Sequence, residues 1–184
     1  VGGYTVLTTS INTISTGELF VKRLFDIIGG LVGCVLTGIL FLFLAPAIKI
    51  QSPGPVFFSQ IRVGKNGKKF KLYKFRSMYT DAEERKAQLA TENRVTDGLM
   101  FKLDFDPRII GCRQLPDGTV KKGIGNFIRD WSFDEFPQFW NVLKGDMSLV
   151  GTRPPTEDEW VRYELQHRSR LAIKPGITGM WQVS

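Results

Sequence analysis

Residues 27–48 form an uninterrupted uncharged run, Ile-Ile-Gly-Gly-Leu-Val-Gly-Cys-Val-Leu-Thr-Gly-Ile-Leu-Phe-Leu-Phe-Leu-Ala-Pro-Ala-Ile. About 20 apolar residues in a helix span the hydrocarbon core of a bilayer, and a small soluble domain rarely buries a helix that is apolar on every side. The pattern therefore predicts a membrane-inserted helix over residues 20–50. Beyond it, Gln51-Ser52-Pro53-Gly54-Pro55 breaks the chain. Two apolar-rich runs, Val56–Val63 and Lys69–Phe75, flank Gly64-Lys65-Asn66-Gly67, which predicts a β-hairpin. Thr80 with Glu83 reads as a capping box opening a charged helix to about Ala90. Residues 91–107 have loop composition, and Pro116-Asp117-Gly118 predicts a turn between two short strands. A second capping box, Thr156 with Glu159, opens an amphipathic helix carrying Trp160, Tyr163, His167 and Leu171, which Pro175-Gly176 ends. The fold class expected is α+β: the membrane helix followed by a compact, helix-rich domain with a basic hairpin.

The flanks of the apolar run bear on its topology. Lys22 and Arg23 precede it, and Lys49 and the basic stretch from Arg62 follow it. Basic residues near both ends favour the cytoplasmic side for both. Either the helix is re-entrant, with Gly38 and Pro46 as candidate break points, or it spans the membrane with a short outside tail. In either case it is expected to project from the globule. The resulting division is a linker or tail over 1–19, the membrane helix over 20–50 and a cytosolic domain over 51–184.

The chain has 184 residues with 25 basic and 18 acidic side chains, a net charge of +7. Seven of the basic residues (Arg62, Lys65, Lys68, Lys69, Lys71, Lys74, Arg76) fall between Ser59 and Arg76 without an acid among them. Such a face suits anionic lipid, phosphate-bearing substrates or nucleic acid. Tyr73 and Phe75 interleave with lysines as in some nucleic-acid binders, but a membrane-inserted neighbour argues against nucleic acid. Cys34 and Cys112 give no disulfide framework, and with His167 as the lone histidine no zinc-ligand spacing exists.

Candidate chemistry concentrates between Arg129 and Pro155, where the adjacent carboxylates Asp134-Glu135 stand in an aromatic segment between Arg129 and Arg153. Ser132 and Glu135 have capping-box spacing, so one reading is a well-capped helix with Phe136, Phe139, Trp140 and Leu143 as its core face. The other is a site for phosphoryl chemistry. Two carboxylates can hold a divalent metal and supply a nucleophile, and guanidiniums clamp phosphate oxygens. On that reading Arg129, Asp134, Glu135 and Arg153 converge on one basic pocket near Lys74 and Arg76.

Six segments resemble, in order, the bacterial sugar transferases, monotopic polyprenyl-phosphate phosphoglycosyl transferases: Lys74-Phe-Arg-Ser-Met78, Asp106-Pro-Arg108, Ser132-Phe-Asp-Glu-Phe-Pro-Gln138, Asn141-Val-Leu-Lys-Gly-Asp-Met-Ser148, Val150-Gly-Thr-Arg-Pro154 and Lys174-Pro-Gly-Ile-Thr-Gly179. The resemblance implies transfer of a sugar-1-phosphate from a UDP-sugar to undecaprenyl or another polyprenyl phosphate, with release of UMP, at the start of capsule or exopolysaccharide assembly. It implies Asp134 as a nucleophile forming a covalent phosphosugar, Glu135 as its partner at a required Mg2+, Arg129 and Arg153 as phosphate-binding residues, and Lys74 and Arg76 as part of a basic motif near the membrane face. It places the protein at the bacterial cytoplasmic membrane, with the catalytic domain on the cytoplasmic side, and leaves the sugar and any homo-oligomer open. Where such proteins carry a Ser-Pro helix break, this chain has Gly38-Ile39, and Thr152 replaces the usual proline before Arg153-Pro154. Similar chains continue beyond Gln182-Val-Ser184, so a truncated C-terminus is expected. The competing expectation is a non-catalytic basic membrane-surface or scaffold protein of polysaccharide assembly, which would tolerate loss of the Asp134 charge.

Overall fold

The computed structural model describes residues 15–88, 105–162 and 169–179. The first helix, α1, runs unbroken from Thr16 to Gln51, 36 residues with Pro46 inside it. Ser15 and Glu18 close a reciprocal capping box at its start. At 1.5 Å per residue it is about 54 Å long, well over the ~30 Å of a hydrocarbon core. The helix does not project from the domain, as its composition led us to expect, but lies along it. Lys22, Asp26, Gly30, Gly33, Thr37, Leu40, Leu44 and Ile48 recur every three or four residues, the spacing of one helical face, and that face is the docked one. Its middle is built for close approach. A Cβ on Gly30 would come 2.8 Å from Leu143, and one on Gly33 would overlap the ring of Phe139. Polar hooks hold the N-terminal end: buried Asp26 accepts from the Ser148 hydroxyl and the Leu149 N–H, while Arg23 donates to the carbonyls of Val142 and Leu143.

The opposite face is the reverse of a soluble helix. Phe20, Phe25, Leu31, Val35, Leu42 and Phe43 stand exposed among other large apolar side chains. Only 17% of the most apolar 18-residue window is buried, so α1 is not the core helix of a water-soluble domain. A continuous apolar face of this extent exceeds what soluble monomers present to water, and it suits association with a membrane.

The hairpin forms where the pattern placed it. Strands β1 (Phe57–Val63) and β2 (Lys69–Phe75) pair antiparallel across a 3₁₀ turn at Lys65–Gly67. Asn66 takes the left-handed conformation such a tight connection needs. Helix α2 (Ala82–Gln88) follows. Pro116-Asp117-Gly118 turns strand β3 (Arg113–Gln114) into β4 (Val120–Lys121). Helix α3 (Ile124–Asp130) leads through a 3₁₀ turn at Phe133–Glu135 into α4 (Gln138–Lys144). Strand β5 (Ser148–Val150) pairs in parallel with β6 (Gly176–Thr178), and the Thr156–Glu159 capping box opens α5 (Glu157–Val161) as expected. The longer helix expected through Tyr163 and His167, and most of the loop over 91–107, lie outside the described residues.

Two apolar clusters hold these parts together. One joins Leu44, Ala45 and Ile48 of α1 to Val56, Phe75, Ile110 and Ile128. The other packs Phe70 and Leu72 of β2 on Val142 and Met147. Burying one such side chain is worth about 1.5–3 kcal/mol. A polar contact adds register: Asn141, with no exposed surface, accepts from the Tyr73 N–H and donates to the Lys71 carbonyl. Its amide completes part of the β2 edge that β1 does not cover, which would otherwise carry buried unpaired groups.

Candidate active site

The acidic pair occupies a strained turn rather than the first turn of a capped helix. Ser132 has φ 54° and ψ 23°, left-handed for a residue with a side chain, and makes no side-chain cap. The capping-box expectation at Ser132 and Glu135 therefore fails. Pro137 follows, delaying α4 to Gln138, and the chain between forms the 3₁₀ turn Phe133–Glu135. Non-glycine residues in this conformation cost about 1–3 kcal/mol and cluster at functional sites. Phe133 and Phe136, edge to face at 5.8 Å, anchor the turn against the core. Both carboxylates are thereby presented on one side.

There they meet β2. Lys74 Nζ lies 3.0 Å from Asp134 Oδ2 and 3.0 Å from Glu135 Oε1. Asp134 is the more enclosed, 16% exposed against 40% for Glu135. Lys74 and Glu135 open onto a cavity of about 580 Å3, which Arg62, Gln138, Arg153 and Thr178 also line. Arg153 is supplied by a turn braced on β6, where the Gly151 N–H donates to the Thr178 carbonyl and the Gly176 N–H to the Thr152 carbonyl. Glu159 steadies two guanidiniums at the rim, 3.8 Å from Arg153 and 3.9 Å from Arg62. The Arg62 guanidinium also donates to the Pro154 carbonyl at 3.1 Å.

The structure thus sets Lys74, Glu135 and Arg153 on one cavity and joins Asp134 to it through Lys74, while Asp134 itself, Arg129 and Arg76 are off the lining. Arg129 is exposed at the end of α3, and its charge acts on Asp106. Burial alone would raise the Asp106 pKa, but hydrogen bonds from the Arg108 guanidinium and backbone N–H and the charge of Arg108, with Arg129 beyond, hold it below the ordinary carboxylate value. Arg76 is 4% exposed and donates to the Ser52 hydroxyl, the Ser52 carbonyl and the Pro53 carbonyl. It braces the junction between α1 and β1, and burial lowers its pKa. Alternation turns Leu72 and Lys74 to the cavity and Phe75 into the core, but β2 ends at Phe75, and Arg76, beyond the strand, turns instead to Ser52 and Pro53.

Arg62, Gln138 and Asn141 were not singled out from the sequence. Arg62 was one of seven basic residues. Asn141 had a signal, a lone amide in Phe139-Trp140-Asn141-Val142-Leu143. Among the described residues no three His, Cys, Asp or Glu side chains gather for a metal. The acidic pair is a two-carboxylate donor set, and the Lys74 ammonium sits where its oxygens converge. A hard divalent cation held by one or two carboxylates, with its remaining positions left to water and phosphate, fits such a set.

Comparison with known sequences agrees with this arrangement. A family model described as bacterial sugar transferase matches residues 17–184. The galactosyl transferase CpsE of Streptococcus agalactiae is 51% identical over 182 residues, which cover 99% of this chain and 37% of that protein. The undecaprenyl-phosphate galactose phosphotransferase of Salmonella typhimurium is 39% identical over 176 residues, 94% of this chain and 34% of that protein. The uncharacterized sugar transferase EpsL of Bacillus subtilis is 37% identical over 166 residues, 90% of this chain and 69% of that protein. The chain thus spans about a third of the first two relatives and about two thirds of the last. With the acidic pair, the Arg153 turn and α1 all inside the matched span, this chain belongs to the bacterial sugar transferase family.

Proposed function

We propose that this chain is the catalytic unit of a phosphoglycosyl transferase that moves a sugar-1-phosphate from a UDP-sugar to a polyprenyl phosphate, with undecaprenyl phosphate as the acceptor, and so starts a capsule or exopolysaccharide repeat. The observation that carries this reading is the meeting of Asp134 and Glu135 on Lys74 at the mouth of a cavity shared with Arg153. The relatives named for undecaprenyl phosphate and for galactose transfer support it.

In this reading an Asp134 oxygen attacks the phosphorus bonded to the sugar. The bond from that phosphorus to the UMP oxygen breaks, and UMP leaves with the electron pair. The acyl-phosphate formed is then attacked at the same phosphorus by an oxygen of the polyprenyl phosphate, which returns the Asp134 carboxylate. A covalent intermediate divides one difficult displacement into two easier ones. Lys74 shields the incoming phosphate from the acidic pair, and Arg153 offers its fork to the equatorial oxygens. Bound Mg2+, held by Glu135 with Asp134, would neutralise the diphosphate charge. The outward face of α1 lies in lipid on the cytoplasmic side, which brings a lipid-borne acceptor to a soluble donor.

The test is incubation with a UDP-sugar and Mg2+ without acceptor. UMP should appear, and the peptide containing Asp134 should gain one sugar-phosphate mass. Asp134→Asn should lose the adduct and lower turnover by about a thousandfold or more. Turnover retained by the Asn variant would favour a direct single displacement or another nucleophile, and absence of UMP release from the unaltered chain would favour a scaffold role.

A further inference from the structure

The tip of the β1–β2 hairpin, the end of α4 and the segment before β6 enclose a second cavity of about 250 Å3, whose lining includes Lys65, Lys68, Phe70, Gly145, Asp146 and Lys174. Gly145 ends α4 in the left-handed conformation, φ 91°, where glycine is unstrained. Its missing side chain leaves a gap that cations face from two sides. Arg23 Nη2 lies 3.5 Å, and Lys174 Nζ 3.8 Å, from the point a Cβ would occupy.

These charges are poorly balanced. Asp146, the only carboxylate among the described lining residues, lies 3.2 Å from Lys144. Among the described residues Lys65, Lys68 and Lys174 have no ion-pair partner. Arg23 is engaged by two backbone carbonyls, which leave its charge in place. Burial lowers the Lys174 pKa; Arg23, Lys65 and Lys22 push it the same way and Asp26 opposes them. Lys65 and Lys68 are exposed and Lys174 is half-buried, and cations gathered in a concave site focus a field that draws a multivalent anion. Short-range contacts of three ammoniums match a phosphate bearing two or more charges.

We propose that this lysine pocket is a second anion site, binding a phosphate-bearing group separately from the acidic-pair cavity. Phe70 and Lys74 fall on the same side of β2, four residues apart, which separates the two sites by about 13 Å. The phosphate could come from a lipid headgroup or from a soluble phosphate, and the chemistry of the pocket is the same for both. The proposal does not rest on the transfer reaction. A chain without transferase activity would still carry the site.

The test uses the full chain in detergent, titrated calorimetrically with inorganic pyrophosphate and, separately, with dihexanoyl phosphatidic acid below its micelle concentration. Dihexanoyl phosphatidylcholine is the neutral-headgroup control. Lys174→Gln should weaken binding about tenfold, the loss of one charge-assisted contact. Lys68→Gln should weaken it less, and Lys174→Arg should keep most of it. Lys122→Gln, which removes the same charge from an exposed pair with Asp130, should leave it unchanged. Tighter binding of phosphatidic acid would identify a lipid headgroup as the source, and tighter binding of pyrophosphate a soluble phosphate; either result supports the site. If Arg153→Gln abolishes binding while Lys174→Gln and Lys68→Gln do not, the anion occupies the acidic-pair cavity and the proposal is overturned. No saturable binding of either probe overturns it as well.

Discussion

Two charged cavities stand along the same strand and treat their cations in opposite ways. At the C-terminal end of β2, Lys74 is held by Asp134 and Glu135 at 3.0 Å each. At the N-terminal end, Lys65, Lys68 and Lys174 share one pocket with, among the described residues, a single carboxylate that already faces Lys144. In the first arrangement the cation is paired within the molecule, one ammonium to two carboxylates. In the second, three ammoniums have no ion-pair partner among the described residues, which is the excess the proposed anion would offset. One composition, net +7, thus gives one site proposed for chemistry and one proposed for capture. The distribution of carboxylates decides which.

The sharpest way to break this comparison is to unbalance the first cavity. Lys74→Met removes the cation from between two carboxylates and leaves them to repel both each other and an incoming diphosphate. We expect turnover of UDP-sugar to fall about a hundredfold, with partial recovery at raised Mg2+. A variant with unchanged turnover and Mg2+ dependence would show that the bridge has no part in the reaction.

The next effect tests what the two cavities share. Asn141→Ala leaves the Tyr73 N–H and the Lys71 carbonyl without their side-chain partner. A loss of about 2 kcal/mol, lowering the melting temperature by about 4–8 °C, is expected. Both activities, transfer and pyrophosphate binding, should suffer, because both sites stand on β2. Loss of one alone would mean that the strand ends are positioned independently.

The smallest effect concerns the rim. Glu159 approaches Arg153 and Arg62 at 3.8 and 3.9 Å, and the Arg153 side chain is 57% exposed. An exposed pair such as Arg153–Glu159 contributes about 0–1 kcal/mol, and the more enclosed Arg62 keeps its bond to the Pro154 carbonyl. Glu159→Gln should therefore shift KM for the UDP-sugar by no more than about fivefold and leave kcat nearly constant. A large fall in kcat would assign Glu159 a role in the chemical step instead.

Much of this could be read from local pattern. The hairpin turn, the Pro116-Asp117-Gly118 turn and the Thr156–Glu159 capping box depend on residues a few positions apart, and each formed where its spacing put it. The acidic pair stood out because carboxylates are rare among aromatic residues. The capping box at Ser132 misled for the same local reason: the spacing was right, but Pro137 and the packing of Phe133 and Phe136 imposed a tighter turn.

By itself the sequence determined that α1 is too apolar for water, that β1 and β2 pair, and that Asp134 and Glu135 lie side by side. All three follow from periodicity or adjacency. Only the tertiary structure decided which basic residue meets the acids, since Lys74 lies 60 positions from Asp134. It also decided that Arg76 braces the α1–β1 junction and that α1 lies along the domain through glycines and Asp26. The physical reason is common to these cases. Charge and length allow many partners, and the choice among them is made by which face of β2 or α1 is buried when distant segments pack.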